Sequence, residues 1–188
     1  MMPALFSKLA LYNKRMNQQI CESIATLPHE ELWADKKAEF VSILGTLNHI
    51  MVIDLMLLAR LNQHPLHPHG FAPLKRLADY PAIKGIRQTL YRDLADFTEA
   101  RDALDQLISD FVAETSAADY EVLPSYQEVG SSADSKTLSE PFYLLMQDLF
   151  NHQTHHRGQL LTLLDQLGIK LKTTDFLVII ADDYCEDS

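Results

Sequence analysis

The chain has 188 residues, of which 47% are hydrophobic and 22% are charged. Such proportions are typical of a soluble globular protein, and this length predicts one domain over residues 1–188. Lys and Arg number 16 against 26 Asp and Glu, which gives a formal net charge of −10. A surface this acidic repels phosphate groups, which argues against a nucleic-acid partner.

The sequence contains no pattern of secretion or membrane insertion. The N-terminus lacks the apolar run of a signal peptide, and the apolar residues 50–59 are interrupted by Asp54 and are too few to span a bilayer. Cys21 and Cys185 match neither a disulfide nor a metal spacing, so we expect two reduced thiols. These features favour a cytoplasmic protein without a membrane partner.

Apolar residues at helical spacing predict four long helices. The first runs from about residue 4 to residue 27, where Pro28 ends it. Its apolar side is expected to carry Leu5, Leu9, Tyr12, Met16, Ile20, Ile24 and Leu27. The second runs from about residue 37 to residue 61, and it is apolar on nearly every side between residues 50 and 58. A helix of that kind is buried on most of its circumference.

The third predicted helix begins near Pro81, with Asp79 as a capping candidate, because proline suits the first helical turn. The fourth begins at the cap Ser139, just before Pro141, and ends at Gly168, which is a good helix-stop residue. Four such helices without a strand period predict an all-α protein, namely a four-helix bundle.

Two connections in this scheme stand out. Residues 62–80 are rich in His, Pro and Leu, and residues 115–138 exceed the usual loop length. Within the longer connection, residues 120–123 and 126–129 are predicted to pair weakly as short strands. The apolar residues 173–180 that follow the last helix are expected to dock on the bundle.

The segment from His152 to His156 is the most informative part of the sequence, because these two histidines lie one helical turn apart. Both fall in an apolar stripe of the fourth helix that also contains Leu145, Leu149 and Leu160. A buried imidazole without a partner costs about 1–3 kcal/mol. One metal ion would serve as the partner of both side chains.

His49 is the candidate for a third ligand, because it lies on the buried second helix without an evident partner. Metal sites in helical bundles are built in the core from side chains of facing helices. Three neutral imidazoles suit zinc, nickel, iron or copper and leave one coordination position open. The alternative is that each histidine is satisfied by a backbone carbonyl or a carboxylate, and the spacing alone favours neither.

The same segment is superficially similar to the H-E-x-x-H motif of zinc proteases. Gln153 stands where that motif has its glutamate base, and a glutamine cannot accept a proton, which argues against a peptidase. His155 lies about 100° around the helix from His156. We expect His155 to be solvated or to lie behind a ligand.

His64, His67 and His69 form a second group of histidines within residues 62–80. Pro65 and Pro68 separate them and are expected to spread the loop. Exposed loop histidines are more often adventitious nickel or zinc binders than designed sites. We therefore expect replacement of His64 or His67, like that of His155, to leave the metal content of the protein unchanged.

Three further residues are candidates for supporting roles. Asp54 interrupts an apolar run and is expected to pair with Arg60 or to hold the second nitrogen of a ligand histidine. Arg157 and Gln159 flank His156 and could orient an anionic substrate, although surface residues would follow the same pattern. The sequence contains no nucleophile motif and no glycine-rich phosphate loop.

Residues 45–50 (Gly-Thr-Leu-Asn-His-Ile), Asp54 and residues 151–160 (Asn-His-Gln-Thr-His-His-Arg-Gly-Gln-Leu) resemble the DinB/YfiT-like metal-binding four-helix bundles. The resemblance extends over essentially the whole chain. It implies an antiparallel bundle with one long crossover connection, a divalent metal at His49, His152 and His156, and a homodimer. Some members are similar to thiol transferases or isomerases that use a low-molecular-weight thiol, and many have no established activity.

These observations predict a metal-dependent enzyme of small molecules, of the thiol transferase or hydrolase type, with a metal-bound thiolate or water as nucleophile. Zinc or nickel is the expected ion, and iron is a further candidate. The alternative is a non-catalytic metal-binding stress-response or structural protein. An open coordination position would favour the enzyme, and a closed shell would favour the alternative.

Overall fold

The computed structural model describes residues 1–127 and 137–181 and is mostly helical, which confirms the all-α prediction. The helices are α1 (Met2–Ile24), α2 (His29–Trp33), α3 (Ile43–Leu61), α4 (Leu94–Glu114), α5 (Phe142–Gln166) and α6 (Phe176–Ile180). Short 3₁₀ segments cover Pro73–Asp79 and Asp119–Glu121, and two short strands are β1 (Ser125–Gln127) and β2 (Thr137–Ser139).

The four long helices share one hydrophobic core. α1 packs mainly against α4, α3 packs mainly against α5, and α1 also contacts α5. Among the described helices, α3 alone is long and apolar enough to cross a membrane, but most of it is buried inside the protein. That burial is typical of the central helix of a soluble protein, and it agrees with the nearly all-round apolar pattern of α3.

The buried face of α1 differs from the predicted one. Leu5 was expected to point inward but is 46% exposed, whereas its neighbour Phe6 is buried. The inward face also carries the polar residues Asn13 and Asn17. The C-terminal half of the predicted face is buried as expected. The prediction was wrong at Leu5 and missed the two asparagines because it followed the apolar residues alone, whereas these asparagines meet polar partners in the core.

The second predicted helix begins six residues too early, since α3 begins at Ile43. Lys37 and Val41 have φ angles of 56° and 69°, which no α-helix allows. Ser42 caps α3 by accepting a hydrogen bond from the Gly45 amide at 3.0 Å. A Cβ atom at Gly45 would lie 2.2 Å from the Phe40 carbonyl oxygen, so only glycine lets residue 40 pack against the first turn of α3.

The third predicted helix also begins too early, because residues 81–93 are not helical and α4 begins at Leu94. The cap is Asp93, whose carboxylate accepts hydrogen bonds from the first turn, and it replaces the predicted Asp79. Asn48 holds the preceding segment against α3. Its side chain bonds to the Leu90 amide at 2.7 Å and to both backbone polar groups of Tyr91 at 2.9 Å.

The C-terminal half follows the sequence pattern more closely. Gly168, with a φ of 76°, ends α5 as predicted, although Ser139 lies in β2 and does not cap the helix. The predicted strand pairing was wrong, because β1 pairs with β2 through Ser125 opposite Ser139. Residues 128–136, which include the end of the second predicted strand, lie outside the described residues.

The apolar tail docks on the helices as predicted. α6 packs on α1, and the rings of Phe176 and Tyr12 lie 5.2 Å apart. The Tyr12 hydroxyl donates to the Thr174 carbonyl at 3.0 Å, and Arg15 donates to the Ile179 carbonyl. The tail therefore closes over one side of α1.

Candidate metal centre

Three histidines from two long helices lie together in the interior. α3 supplies His49, and α5 supplies His152 and His156. Their ring centroids are separated by 4.4 to 5.0 Å, and each offers a nitrogen within 4.8 Å of the others. The predicted pair in α5 and the predicted third residue in α3 are thus brought to one point, in a geometry that could hold a metal ion.

The spacing of the ring nitrogens suits a single ion. The Nε2 atoms of His49 and His152 are 3.2 Å apart. Two nitrogen ligands of a tetrahedral zinc ion, each about 2.0–2.1 Å from it, lie about 3.3 Å apart. The observed separation therefore requires little movement of either ring.

Hydrogen bonds fix which nitrogen two of the three rings present. His49 Nδ1 lies 2.9 Å from the Ile86 carbonyl, and His156 Nδ1 lies 2.8 Å from Gln159 Oε1. Both oxygens can only accept, so both Nδ1 atoms carry the proton and both Nε2 atoms keep a lone pair. His152 Nδ1 is buried without a partner, so this side chain is not satisfied by the protein alone.

Burial keeps all three imidazoles neutral. It lowers the pKa of His49, against the opposing effect of the Ile86 carbonyl, and it lowers the pKa of His156. For His152, burial together with the neighbouring His156 and His49 lowers the pKa to about 3. Neutral imidazole is the form that binds a metal ion, so all three side chains are in a form that can bind a metal at neutral pH.

An aromatic ring covers two of the three imidazoles. Phe40 stacks on His49 with the ring centroids 3.6 Å apart, and its edge faces His156 at 5.4 Å. This placement depends on the tight turn at Gly45 described above. Two of the three side chains are nearly enclosed, since His49 is 4% exposed and His156 is 6% exposed, whereas His152 is partly exposed.

The three other residues singled out from the sequence lie in different environments. Gln159 holds His156 through the hydrogen bond to Nδ1, which is a supporting role. Asp54 pairs with Arg101 at 2.6 Å instead of Arg60 or a ligand histidine. Arg157 was expected to lie near bound substrate, but it is 2% exposed and donates to Gln153 and Asn13.

A buried polar network that was not predicted from the sequence connects all four long helices. Arg101 bridges the Asp54 and Asp105 carboxylates at 2.6 and 2.8 Å, and Asn17 donates to Asp105 at 3.0 Å. The members are Asn13, Asn17, Asp54, Arg101, Asp105, Gln153 and Arg157. Polar pairs four residues apart on otherwise apolar helix faces, such as Asn13 and Asn17, were the signal.

This network contains two carboxylates and two guanidinium groups. Burial raises the pKa of Asp54 to about 7 and raises the pKa of Asp105, although Arg101 opposes both shifts. Four of its buried atoms have no partner among the described residues, namely Asn13 Nδ2, Asp54 Oδ1, Arg101 Nε and Gln153 Nε2. Such unpaired atoms are the usual partners of ordered internal water.

A second cluster contains His64, His67 and the carboxylate of Asp119. His64 was expected in an exposed loop, but it is 2% exposed. Its Nε2–H donates to the Asp119 carbonyl at 3.1 Å, and its Nδ1 accepts from the Leu66 amide at 3.2 Å. Asp119 accepts from His67 at 2.9 Å and from Ser116 at 2.6 and 2.8 Å.

The remaining histidines of interest lie outside both clusters. His155 is exposed and lies 3.4 Å from the Gln159 amide, so it is solvated as expected. His69 is exposed as well. Gln153, at the position of the protease base, is completely buried in the polar network.

A comparison with known proteins agrees with these features. No curated protein and no solved structure matches the chain. The model of the DinB family matches residues 1–183, nearly the whole chain. With its predominantly helical fold and its buried histidine cluster, this protein belongs to the DinB family.

Proposed function

We propose that this DinB-family protein binds a divalent metal ion through His49, His152 and His156 and is a metal-dependent enzyme acting on small molecules. The observation that carries the proposal is that three ring nitrogens lie within 4.8 Å of one another. The Nε2 atoms of His49 and His156 carry lone pairs, because the Nδ1 atoms of both rings hold the proton, and the only polar contact of His49 Nε2 among the described residues is with His152 Nε2. A divalent ion bound there would lower the pKa of an adjacent water or thiol towards neutrality.

The residues around the cluster have defined tasks in this proposal. The Ile86 carbonyl and Gln159 orient two of the imidazoles and fix their tautomers, which raises the basicity of the coordinating nitrogens. Phe40 excludes water from one side of the cluster. Zinc or nickel fits three neutral imidazoles best, and iron is a further candidate.

The reaction we propose is thiol transfer or hydrolysis, with a low-molecular-weight thiol as co-substrate in the first case. Three neutral imidazoles without a carboxylate among them leave the ion its full positive charge, which favours a bound thiolate or hydroxide. We place the protein in the cytoplasm, as a single domain in which the helices form an antiparallel bundle with one long crossover connection.

A second candidate is a non-catalytic metal-binding protein, either structural or linked to stress. The near-complete burial of His49 and His156 favours it, because an enclosed ion that joins α3 to α5 would act as a staple. In that case the free energy of metal binding adds to the stability of the folded protein, and removal of the metal should strongly destabilise it.

The two candidates are separated by one set of measurements on tag-free protein. The metal is removed with a chelator, the melting temperature is recorded, and the metal-loaded protein is assayed with small thiols, a chloro-dinitrobenzene electrophile and nitrophenyl esters. If the protein is an enzyme, the metal-loaded wild type should show turnover that His152→Ala lacks, and removal of the metal should change the melting temperature only modestly. A large fall in melting temperature without turnover would favour the staple.

We also propose a homodimer. Several apolar side chains of the described residues are exposed, among them Leu144 on α5 with Leu177 and Val178 on α6, and closed two-fold pairs are the commonest assembly. Light scattering at micromolar concentration tests this. A mass near that of one chain, 21.4 kDa, would contradict it.

A further inference from the structure

Two oppositely charged residues lie beside the ring that covers the metal centre. Glu39 immediately precedes Phe40, and the Arg87 guanidinium carbon lies 5.2 Å from the centre of the Phe40 ring. Arg87 Nη1 also donates to the Glu39 carbonyl at 2.8 Å. Both residues are exposed, so their charged ends are accessible from solvent.

Both charges are close enough to act on the histidine cluster. Arg87 follows Ile86, whose carbonyl holds His49, so the hydrogen bond that orients this imidazole also anchors Arg87. The carboxylate of Glu39 opposes the fall in the pKa of His49 and His156, and Arg87 contributes to the fall for His49. Both side chains therefore lie near His49, and Glu39 lies near His156 as well.

Both groups retain binding capacity. Within residues 1–127 and 137–181, no hydrogen bond or ion pair occupies the Glu39 carboxylate, and the only hydrogen bond of the Arg87 side chain uses Nη1. The remaining guanidinium donors can bind a carboxylate. Stacking on Phe40 limits the freedom of the Arg87 side chain, which lowers the entropy cost of such binding.

We propose that Glu39 and Arg87 are specificity-determining residues that select a zwitterionic small molecule, with the head group of an α-amino acid, at the metal centre. Arg87 binds the carboxylate of this molecule and Glu39 binds its ammonium group, while a third group of the molecule reaches the metal. This inference rests on the proposed function, because it requires an open coordination position at the three histidines.

The test uses cobalt-loaded protein and four thiols as probes. Cysteine carries both charges, 3-mercaptopropionate only the carboxylate, cysteamine only the ammonium group, and 2-mercaptoethanol neither. Coordination of each thiolate produces a sulfur-to-cobalt charge-transfer band, from which its Kd is obtained. Each thiol is compared between wild type and variant, so that differences in thiol acidity cancel, and cobalt content is checked after desalting.

Arg87→Ala is expected to weaken binding of cysteine and 3-mercaptopropionate by about fivefold, the upper value for an exposed ion pair. It should leave cysteamine and 2-mercaptoethanol unchanged. Glu39→Gln is expected to weaken cysteine and cysteamine by about the same factor and to leave the other two unchanged. Arg92→Ala and Glu30→Gln, two exposed residues of the same charges, serve as controls without effect.

Other outcomes overturn the inference. If all four thiols bind but neither variant changes their relative affinities, the charges select nothing and the proposed function stands alone. If Glu39→Gln lowers the cobalt content, this carboxylate is a metal ligand and not a substrate contact. If no thiol gives a band in wild type, the open position is absent and the proposed function fails with the inference.

Discussion

The described residues form two clusters of side chains that could bind a metal ion, and the clusters differ in how completely the protein satisfies their hydrogen-bonding groups. In the cluster of His64, His67 and Asp119, both nitrogens of His64 and both oxygens of the Asp119 carboxylate have hydrogen-bond partners. In the cluster of His49, His152 and His156, only the Nδ1 atoms of His49 and His156 bond to oxygens. The Nε2 atoms of His49 and His152 contact only each other among the described residues, and His152 Nδ1 has no partner. The first is complete as it stands, and the second is not.

The difference shows that ligand type and proximity are insufficient to identify a metal site. A metal ion at the first cluster would have to replace hydrogen bonds that connect residues 64–67 to residues 116–119. At the second cluster it would replace only a contact between two nitrogen atoms 3.2 Å apart. We therefore interpret the first cluster as a clasp between two connections and the second as the metal centre.

The largest effect on the free energy of unfolding should come from the buried polar network. An effect larger than that of either cluster would show that the metal centre contributes little to the stability of the fold. Arg101→Met leaves the Asp54 and Asp105 carboxylates buried without their cation. We expect a loss of about 3–5 kcal/mol in the free energy of unfolding, measured by urea denaturation. Arg76→Met, which breaks an exposed pair with Asp110, should cost less than about 1 kcal/mol. Equal effects of the two variants would contradict this interpretation.

The clasp is expected to contribute next. Asp119→Ala removes the acceptor for Ser116 and His67 and should cost about 1–3 kcal/mol in metal-free protein. In the same metal-free state, His152→Ala should cost less, since it removes only the contact of His152 Nε2 with His49, and His152 Nδ1 has no partner to lose. If His152→Ala were the more destabilising of the two, the assignment of clasp and metal centre would be reversed.

The pH dependence of metal-free protein sharpens the comparison. Because burial lowers the pKa of His152 from 6.5 to about 3, the unfolded chain binds a proton that the folded imidazole does not. Stability is therefore present above pH 6.5 and is lost as the pH falls towards 3. His64, whose pKa burial also lowers, acts in the same direction.

Urea midpoints are measured between about pH 7 and pH 5, where the histidines contribute. Asp54, whose pKa burial raises to about 7, contributes in the same range with the opposite sign, so the slope of each variant is compared with that of wild type. The carboxyl pKa of Asp119 is lowered because its hydrogen bonds outweigh burial, so its contribution is lost only below pH 3.8. His152→Ala should lower the slope of unfolding free energy against pH by an amount that corresponds to at most about one bound proton. Replacement of the exposed His155 by alanine should leave this slope unchanged. An unchanged slope in His152→Ala would mean that this imidazole is charged in the folded protein.

A smaller effect is expected from the residue behind the metal centre. Gln159→Ala removes the acceptor for His156 Nδ1 and should weaken metal affinity by about tenfold, measured by competition with a chromophoric chelator. Gln147→Ala serves as the control, because Gln147 is bonded to Asn151 on the same helix. Equal metal affinities of the two variants would show that Gln159 does not support the metal centre.

Much of the helical fold was predictable, because α5 and the core of α3 have strong apolar periodicity. The early starts predicted for α3 and α4 were wrong for a local reason. Positive φ angles at Lys37 and Val41 and the side-chain bonds of Asn48 override propensity, and neither is visible in an apolar pattern. The pairing of β1 with β2 likewise depends on contacts between distant residues.

The candidate site was predictable in its ligands but not in its surroundings. The spacing of His152 and His156 and the position of His49 on a buried helix required no knowledge of the loops. The hydrogen-bond and ion-pair partners of the polar residues could not be predicted without the tertiary structure. Asp54 pairs with Arg101 on a third helix, and His64 is buried against Asp119 from a distant connection. Sequence patterns reveal the periodicity of one helix, whereas partners are set by how helices and connections pack together.

The most direct test of the account is elemental analysis of tag-free protein. We expect wild type to contain one divalent metal ion per chain. The metal should be retained in His67→Ala and Asp119→Ala and lost in His152→Ala and His156→Ala. Circular dichroism checks that each variant is folded. Retention of metal in the folded His152→Ala and His156→Ala variants, or its loss in the folded clasp variants, would contradict the assignment of the metal centre to His49, His152 and His156.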